Sequence, residues 1–197
     1  MHRRVLLAAL GASLSGCLGQ GRLAAETPTP DSVSPLPLSV TLEAVHQPVN
    51  TEDVSVTVDV TESEITREHT ATVTIGFENV SDEPLNIAAG RGFPFTTTES
   101  EDFRWGLVPS ADAGTRESPD CWVPEDSSPA FAYPPTRDRF EILPGERRTA
   151  ERWLWSHYKA EVCMPTGVTS FRTHGHIGSP GDMDRIEWGF DLEISPE

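Results

Sequence analysis

The sequence predicts an all-β domain, an antiparallel β-sandwich, and three observations predict it. Apolar residues recur at every second position in four stretches, no stretch carries a helical stripe, and Pro and Gly turns break the chain at short intervals. A period of two places successive side chains on opposite faces of a strand, so each alternating stretch is a half-buried strand with one wet face. Short strands separated by such turns fold into two packed antiparallel sheets.

The elements follow in order. Leu38, Val40, Leu42 and Ala44 alternate with Ser39, Thr41 and Glu43, and Val54, Val56, Val58 and Val60 alternate with Ser55, Thr57 and Asp59. Ala71, Val73, Ile75 and Phe77 repeat the pattern, as do Ile186, Trp188, Phe190, Leu192 and Ile194 near the end. Shorter strands are expected at 85–88, 103–108, 140–143, 149–155 and 168–177. The stretch 109–138, "PSADAGTRESPDCWVPEDSSPAFAYPPTRD", is an insert too long for a hairpin loop, and long loops in compact domains are usually functional or disordered. Its aromatic residues Trp122, Phe131 and Tyr133 form the first candidate binding surface, the alternative being an insert whose aromatics cap an open end of the sandwich.

The amino-terminal stretch "RRVLLAALGASLSGCLG" holds twelve apolar or small residues between Arg4 and Cys17. A spanning helix needs roughly 20. The run has instead the proportions of an export signal, with a basic start, a short apolar centre and small residues before the cut. Arg3 and Arg4 ahead of Val5-Leu6-Leu7 resemble a twin-arginine signal, and Leu14-Ser15-Gly16-Cys17 resembles a lipobox. The resemblance implies cleavage after residue 16, a lipid on the Cys17 thiol, and localisation at the outer face of the cell membrane. Residues 17–37, with prolines at 28, 30, 35 and 37, read as a disordered Pro/Thr/Ser-rich tether, and 38–197 as the domain.

Charge and cysteine count bound the partners. Without the signal the chain carries 13 basic and 31 acidic residues, a formal charge of −18, and its one lysine is Lys159. Acidic excess with almost no lysine resembles proteins of salt-accumulating halophilic archaea. Such a charge argues against nucleic acid as a partner, since neutralising phosphates takes a basic face. Three cysteines are an awkward odd number for an exported chain. Assigning Cys17 to lipid leaves Cys121 and Cys163, expected as a disulfide that constrains the unfolded chain by ~4 kcal/mol.

Two stretches carry a family resemblance. "ATVTIGFENVSDEPLNI" runs a strand into Asn-x-Ser and a Pro turn, and "LPGERRTAERWLW" with "MPTGVTSF" sets a Pro-Gly-Glu turn before a strand ending in Trp and a Pro-x-Gly turn after it. Together they resemble the immunoglobulin-like domain named after the intracellular proteinase inhibitor of Bacillus. The resemblance implies an immunoglobulin-like sandwich and leaves proteinase inhibition as an alternative function.

Four further groups are candidates. Asn79-Val80-Ser81 is a glycosylation sequon at a strand end, where the Asn is expected to be exposed, and it equally suits a turn. His174 and His176 stand at i and i+2, on the wet face of a strand whose Phe171, Thr173 and Ile177 face the core. They are a candidate metal pair if His157, Asp182 or Asp184 supplies a third ligand, and surface histidines otherwise. Trp153 and Trp155 share one strand face and Trp188 a core face, so they are core residues or a strip for stacking sugars. The chain has no G-x-S-x-G elbow and no P-loop. The expectation is a non-enzymatic, membrane-anchored lipoprotein that needs no cofactor and presents the sandwich for structural support or for binding a protein or glycan, the alternative being a metal-binding protein or metal-dependent enzyme using His174 and His176.

Overall fold

The computed structural model describes residues 36–109, 116–124, 137–179 and 181–197, and the described chain is all-β. The strands are β1 (Leu38–His46), β2 (Val54–Glu62), β3 (Glu64–Ile65), β4 (Thr72–Asn79), β5 (Leu85–Gly90), β6 (Trp105–Val108), β7 (Arg116–Ser118), β8 (Cys121–Pro124), β9 (Arg137–Ile142), β10 (Arg147–Ser156), β11 (Gly167–Ser179) and β12 (Asp182–Pro196). The larger sheet has the order β3-β1-β12-β11-β5-β9 and the smaller β2-β4-β10-β6, with every pairing antiparallel. The two pack face to face as an immunoglobulin-like sandwich.

The alternating residues make the core between the sheets. Val54, Val56 and Val58 of β2 and Val73, Ile75 and Phe77 of β4 are buried on one side, against Ile186, Trp188, Phe190, Leu192 and Ile194 of β12 on the other. Trp188 is its centre: the indole meets Phe77 edge-on at 5.3 Å and Phe93 at 6.4 Å, and its N–H donates to the Pro94 carbonyl at 3.0 Å. Gly175 lies diagonally across on β11, where a Cβ would stand 3.3 Å from the same indole. Phe93 also stacks on Phe140, and Phe95 packs against Phe190, so the segment after β5 plugs the sandwich.

Three features depart from the expected alternation. A bulge between Leu42 and Ala44 shifts the register of β1 against β12, so Val45 packs on the core beyond it. Arg152 occupies an inward position of β10 and is 5% exposed; its guanidinium donates to the carbonyls of Glu151, Gly92 and Phe95. The Gln47 side chain pairs with β2 at Val56, donating to its carbonyl at 2.6 Å and accepting from its N–H at 2.8 Å. That amide occupies backbone groups on an edge strand, where an exposed ladder would otherwise recruit another chain.

The insert begins with structure of its own. β7 and β8 form a two-stranded ribbon, and Cys121 is bonded to Cys163 with 6.0 Å between their Cα atoms. The ribbon covers the outer face of the smaller sheet. Trp122 meets Trp155 edge-on at 5.4 Å, and its N–H donates to the Thr66 carbonyl at 2.6 Å, while Arg67 pairs with Asp120 at 2.6 Å.

Candidate functional site

The expected binding surface at the insert needs correction at Trp122. Its side chain is 8% exposed and packed on Trp155, which is itself buried although it faces away from the core. Two indoles bury each other there because the disulfide clamps the ribbon down, so Trp122 holds structure and presents no surface. Trp153 is half-buried beside them, and Trp188 is core, so the tryptophans form no exposed strip. Phe131 and Tyr133 lie outside the described residues, as do Arg3, Arg4 and Cys17.

Asn79 needs correction too. It is fully buried, and its amide donates to the carbonyls of Glu83 at 2.8 Å and Ile142 at 2.9 Å. Its oxygen accepts from the N–H and hydroxyl of Ser81. Asn79 also exchanges backbone hydrogen bonds with the Pro-Gly-Glu turn, receiving at its carbonyl from Gly145 and donating to Glu146. Gly145 serves that turn at a φ of 72°, a conformation that favours glycine. The sequon is thus a buried clasp between two turns, and the folded chain offers no amide N–H for a glycan. Asn79→Asp is expected to lower stability by about 2–3 kcal/mol at neutral pH, since a carboxylate would face two carbonyls in place of two donors. Urea unfolding checks it; a loss below 1 kcal/mol would contradict the clasp.

His174 and His176 do face outward, His174 exposed and His176 partly covered, while Phe171 and Thr173 are buried. Across β12 they stand opposite Glu187 and Arg185. Burial, then the charges of Arg185, Arg137 and His176, hold the His174 imidazole below its ordinary pKa. The suggested third ligands do not join them. Asp184 pairs with Ile177 and Asp182 with Ser179 at the hairpin end, and His157 is engaged with Glu99. Among the described residues no group of three or more His, Cys, Asp or Glu is placed to hold a metal ion.

Further along the same face lies a network that sequence reasoning missed. The Arg172 guanidinium crosses Gly189, donates to Asp191 at 2.9 Å and lies 3.0 Å from the His46 ring, which lies 2.8 Å from Asp191. Burial alone would raise the Asp191 carboxyl, but hydrogen bonds from His46, Ser170 and Arg172, with the Arg172 charge, hold it below the usual range. No motif marks this set, because β1 and β12 join residues from opposite ends of the domain.

A second missed cluster sits at the turn before β6. Phe103 adopts a φ of 55°, which costs a non-glycine residue energy unless its surroundings impose it. They do: Ser100 accepts from the N–H groups of Arg104 and Trp105, its hydroxyl donates to Asp102 at 2.6 Å, and Arg104 reaches across to the Thr166 and Val168 carbonyls. Burial would raise the Asp102 carboxyl, but the bonds from Ser100 and Arg104 hold it low. The Phe103 ring is thereby held 44% exposed, 5.9 Å from buried His157. The Tyr158 ring, tilted by 32°, also lies against that imidazole at 4.4 Å, and the Lys159 ammonium sits 4.7 Å from the Phe103 centroid and 5.3 Å from that of Tyr158.

The His157–Glu99 pair, 3.0 Å apart, has the look of a catalytic dyad. Its chemistry is closed, however. The Lys159 N–H donates to His157 Nδ1 at 3.2 Å, which places the ring proton on Nε2, where it is donated to Glu99. Neither nitrogen is left to take a proton from a nucleophile, so the pair holds a turn and activates nothing. No family model, curated protein or solved structure matches the chain.

Proposed function

We propose that this chain is a non-enzymatic lipoprotein of the cell surface, exported by its twin-arginine signal, anchored through Cys17 and presenting the sandwich for binding. The observation that carries it is the Cys121–Cys163 bond. A disulfide suits an oxidising compartment outside the cytosol, and this one engages two of the three cysteines. Cys17 is left as the thiol of a lipobox-like sequence. The closed His157–Glu99 pair supports a role without catalysis. The acidic excess suits work in concentrated salt, where a Debye length of about 3 Å screens repulsion between carboxylates.

Cys17→Ser tests the anchor. Expressed in its own cells, the variant should lose lipid labelling and appear in the medium, while the wild type stays with the membrane fraction. Unchanged membrane retention of the variant would overturn the proposal.

A further inference from the structure

One end of the outer face of the larger sheet gathers positive charge on a chain whose net charge is −16. Two rows run there across four of its six strands, β9, β5, β11 and β12. In one, Arg139 pairs with Ala88, Ala88 with His176 and His176 with Arg185. In the other, Arg137 pairs with Gly90 on β5, and His174 pairs with Glu187. Strands lie about 4.8 Å apart, so Arg139 and Arg185 bracket roughly 14 Å of flat sheet. Between the arginines of β9 and the histidines of β11, β5 contributes no charge, only Ala88, 9% exposed, and Gly90, against which the Thr96 side chain packs. On these two rows three guanidinium groups stand against one carboxylate, Glu187, which is paired with Arg185 at 3.2 Å, and the next carboxylate along β9 is the exposed Glu141, two residues from Arg139. Arg137 and Arg139 are exposed and make no ion pair among the described residues.

We propose that this face docks an acidic polysaccharide, with Arg137, Arg139 and Arg185 meeting its carboxylate or sulfate groups and His174 and His176 its hydroxyls. Charge complementarity selects a polyanion, and the make-up of the face selects its kind. Protein interfaces are anchored by aromatic and apolar residues in desolvated pockets, and none stands on these two rows. Nucleic acid has a denser charge, about one per 1.7 Å of duplex, so the acidic remainder of the chain repels it more strongly than it does a polyanion of sparser charge. A neutral imidazole is both a hydrogen-bond donor and acceptor, fit for sugar hydroxyls, and burial with the Arg185 charge favours that form at His174. The position fits as well. The domain begins at Leu38, paired with Pro196, and about 36 Å of β12 separates Pro196 from Arg185, so the basic face lies at the end remote from the domain's entry. The inference holds whether or not Cys17 carries a lipid.

Titration calorimetry of the full chain against polygalacturonate, dextran sulfate and uncharged dextran tests it. Saturable binding to at least one of the two acidic polymers, weakened by salt and absent with dextran, is expected. Arg137→Ala with Arg139→Ala should lower affinity about tenfold, and Arg185→Ala alone, on a different strand, should lower it several-fold. Arg67→Ala with Arg148→Ala makes the same change in net charge elsewhere and should alter affinity by less than about twofold. Failure to bind either acidic polymer, equal losses in the two double variants, or equally tight binding of poly-L-glutamate or a single-stranded oligonucleotide at the same arginines would each overturn the proposal.

Discussion

Trp188→Ala is expected to destabilise the domain by about 3–5 kcal/mol, enough to leave many domains of this size partly unfolded. The indole is 1% exposed and joins the two sheets through Phe77 and Phe93. Its removal opens a cavity that Gly175, diagonally across on β11, has no side chain to fill. It also strands the Pro94 carbonyl, which accepts the indole N–H. Trp188→Phe separates the two effects: most of the packing stays and the hydrogen bond goes, so a loss of about 1–2 kcal/mol is expected. Urea unfolding of both variants with the disulfide intact gives the numbers, and a loss below 1 kcal/mol for the alanine variant would show that the indole does not join the sheets.

Breaking the disulfide is the second large effect. The bond spans 42 residues, and releasing a loop of that size adds unfolded-state entropy worth ~4 kcal/mol on the chain-entropy model. The local consequence is more diagnostic than the total. Among the contacts that hold the β7–β8 ribbon are that bond, the Trp122 ring on Trp155, the Trp122 N–H on the Thr66 carbonyl and the Arg67–Asp120 pair. A surface ion pair contributes at most about 1 kcal/mol, so without the bond Trp122 is expected to lift from Trp155 before the sandwich unfolds. Cys121→Ser with Cys163→Ser should therefore red-shift tryptophan fluorescence at denaturant concentrations where the sheets are intact by circular dichroism. Coincident transitions would mean that the ribbon is part of the core.

Where sequence and structure agree, the agreement has a local cause. A strand with one wet face shows its alternation directly, so β2, β4 and β12 were legible residue by residue, and parity alone turned His174 and His176 outward. Where they differ, the deciding contact comes from far along the chain. The bulge in β1 is set against β12, and the burial of Asn79 by a carbonyl 63 residues later. Trp122 looked free because its partner Trp155 lies on β10, far along the chain, ahead of the segment that the Cys121–Cys163 bond ties to the ribbon. The basic face was invisible for the same reason. Arg137 and Arg139 precede the histidines by more than thirty residues, and only the order β11-β5-β9 makes them neighbours. The left-handed Phe103 carries no signal in its own residue type, since its turn is imposed by Ser100, Asp102 and Arg104.

The central claim, one cysteine for the membrane and two for the fold, is tested most directly by a non-reducing peptide map of the protein extracted from the membranes of its own cells. The account predicts an amino-terminal peptide that begins at Cys17 and carries the mass of a lipid, together with a single cross-linked pair containing Cys121 and Cys163. An unmodified Cys17 thiol, a chain that still begins at Met1, or Cys121 and Cys163 recovered as free thiols would contradict it.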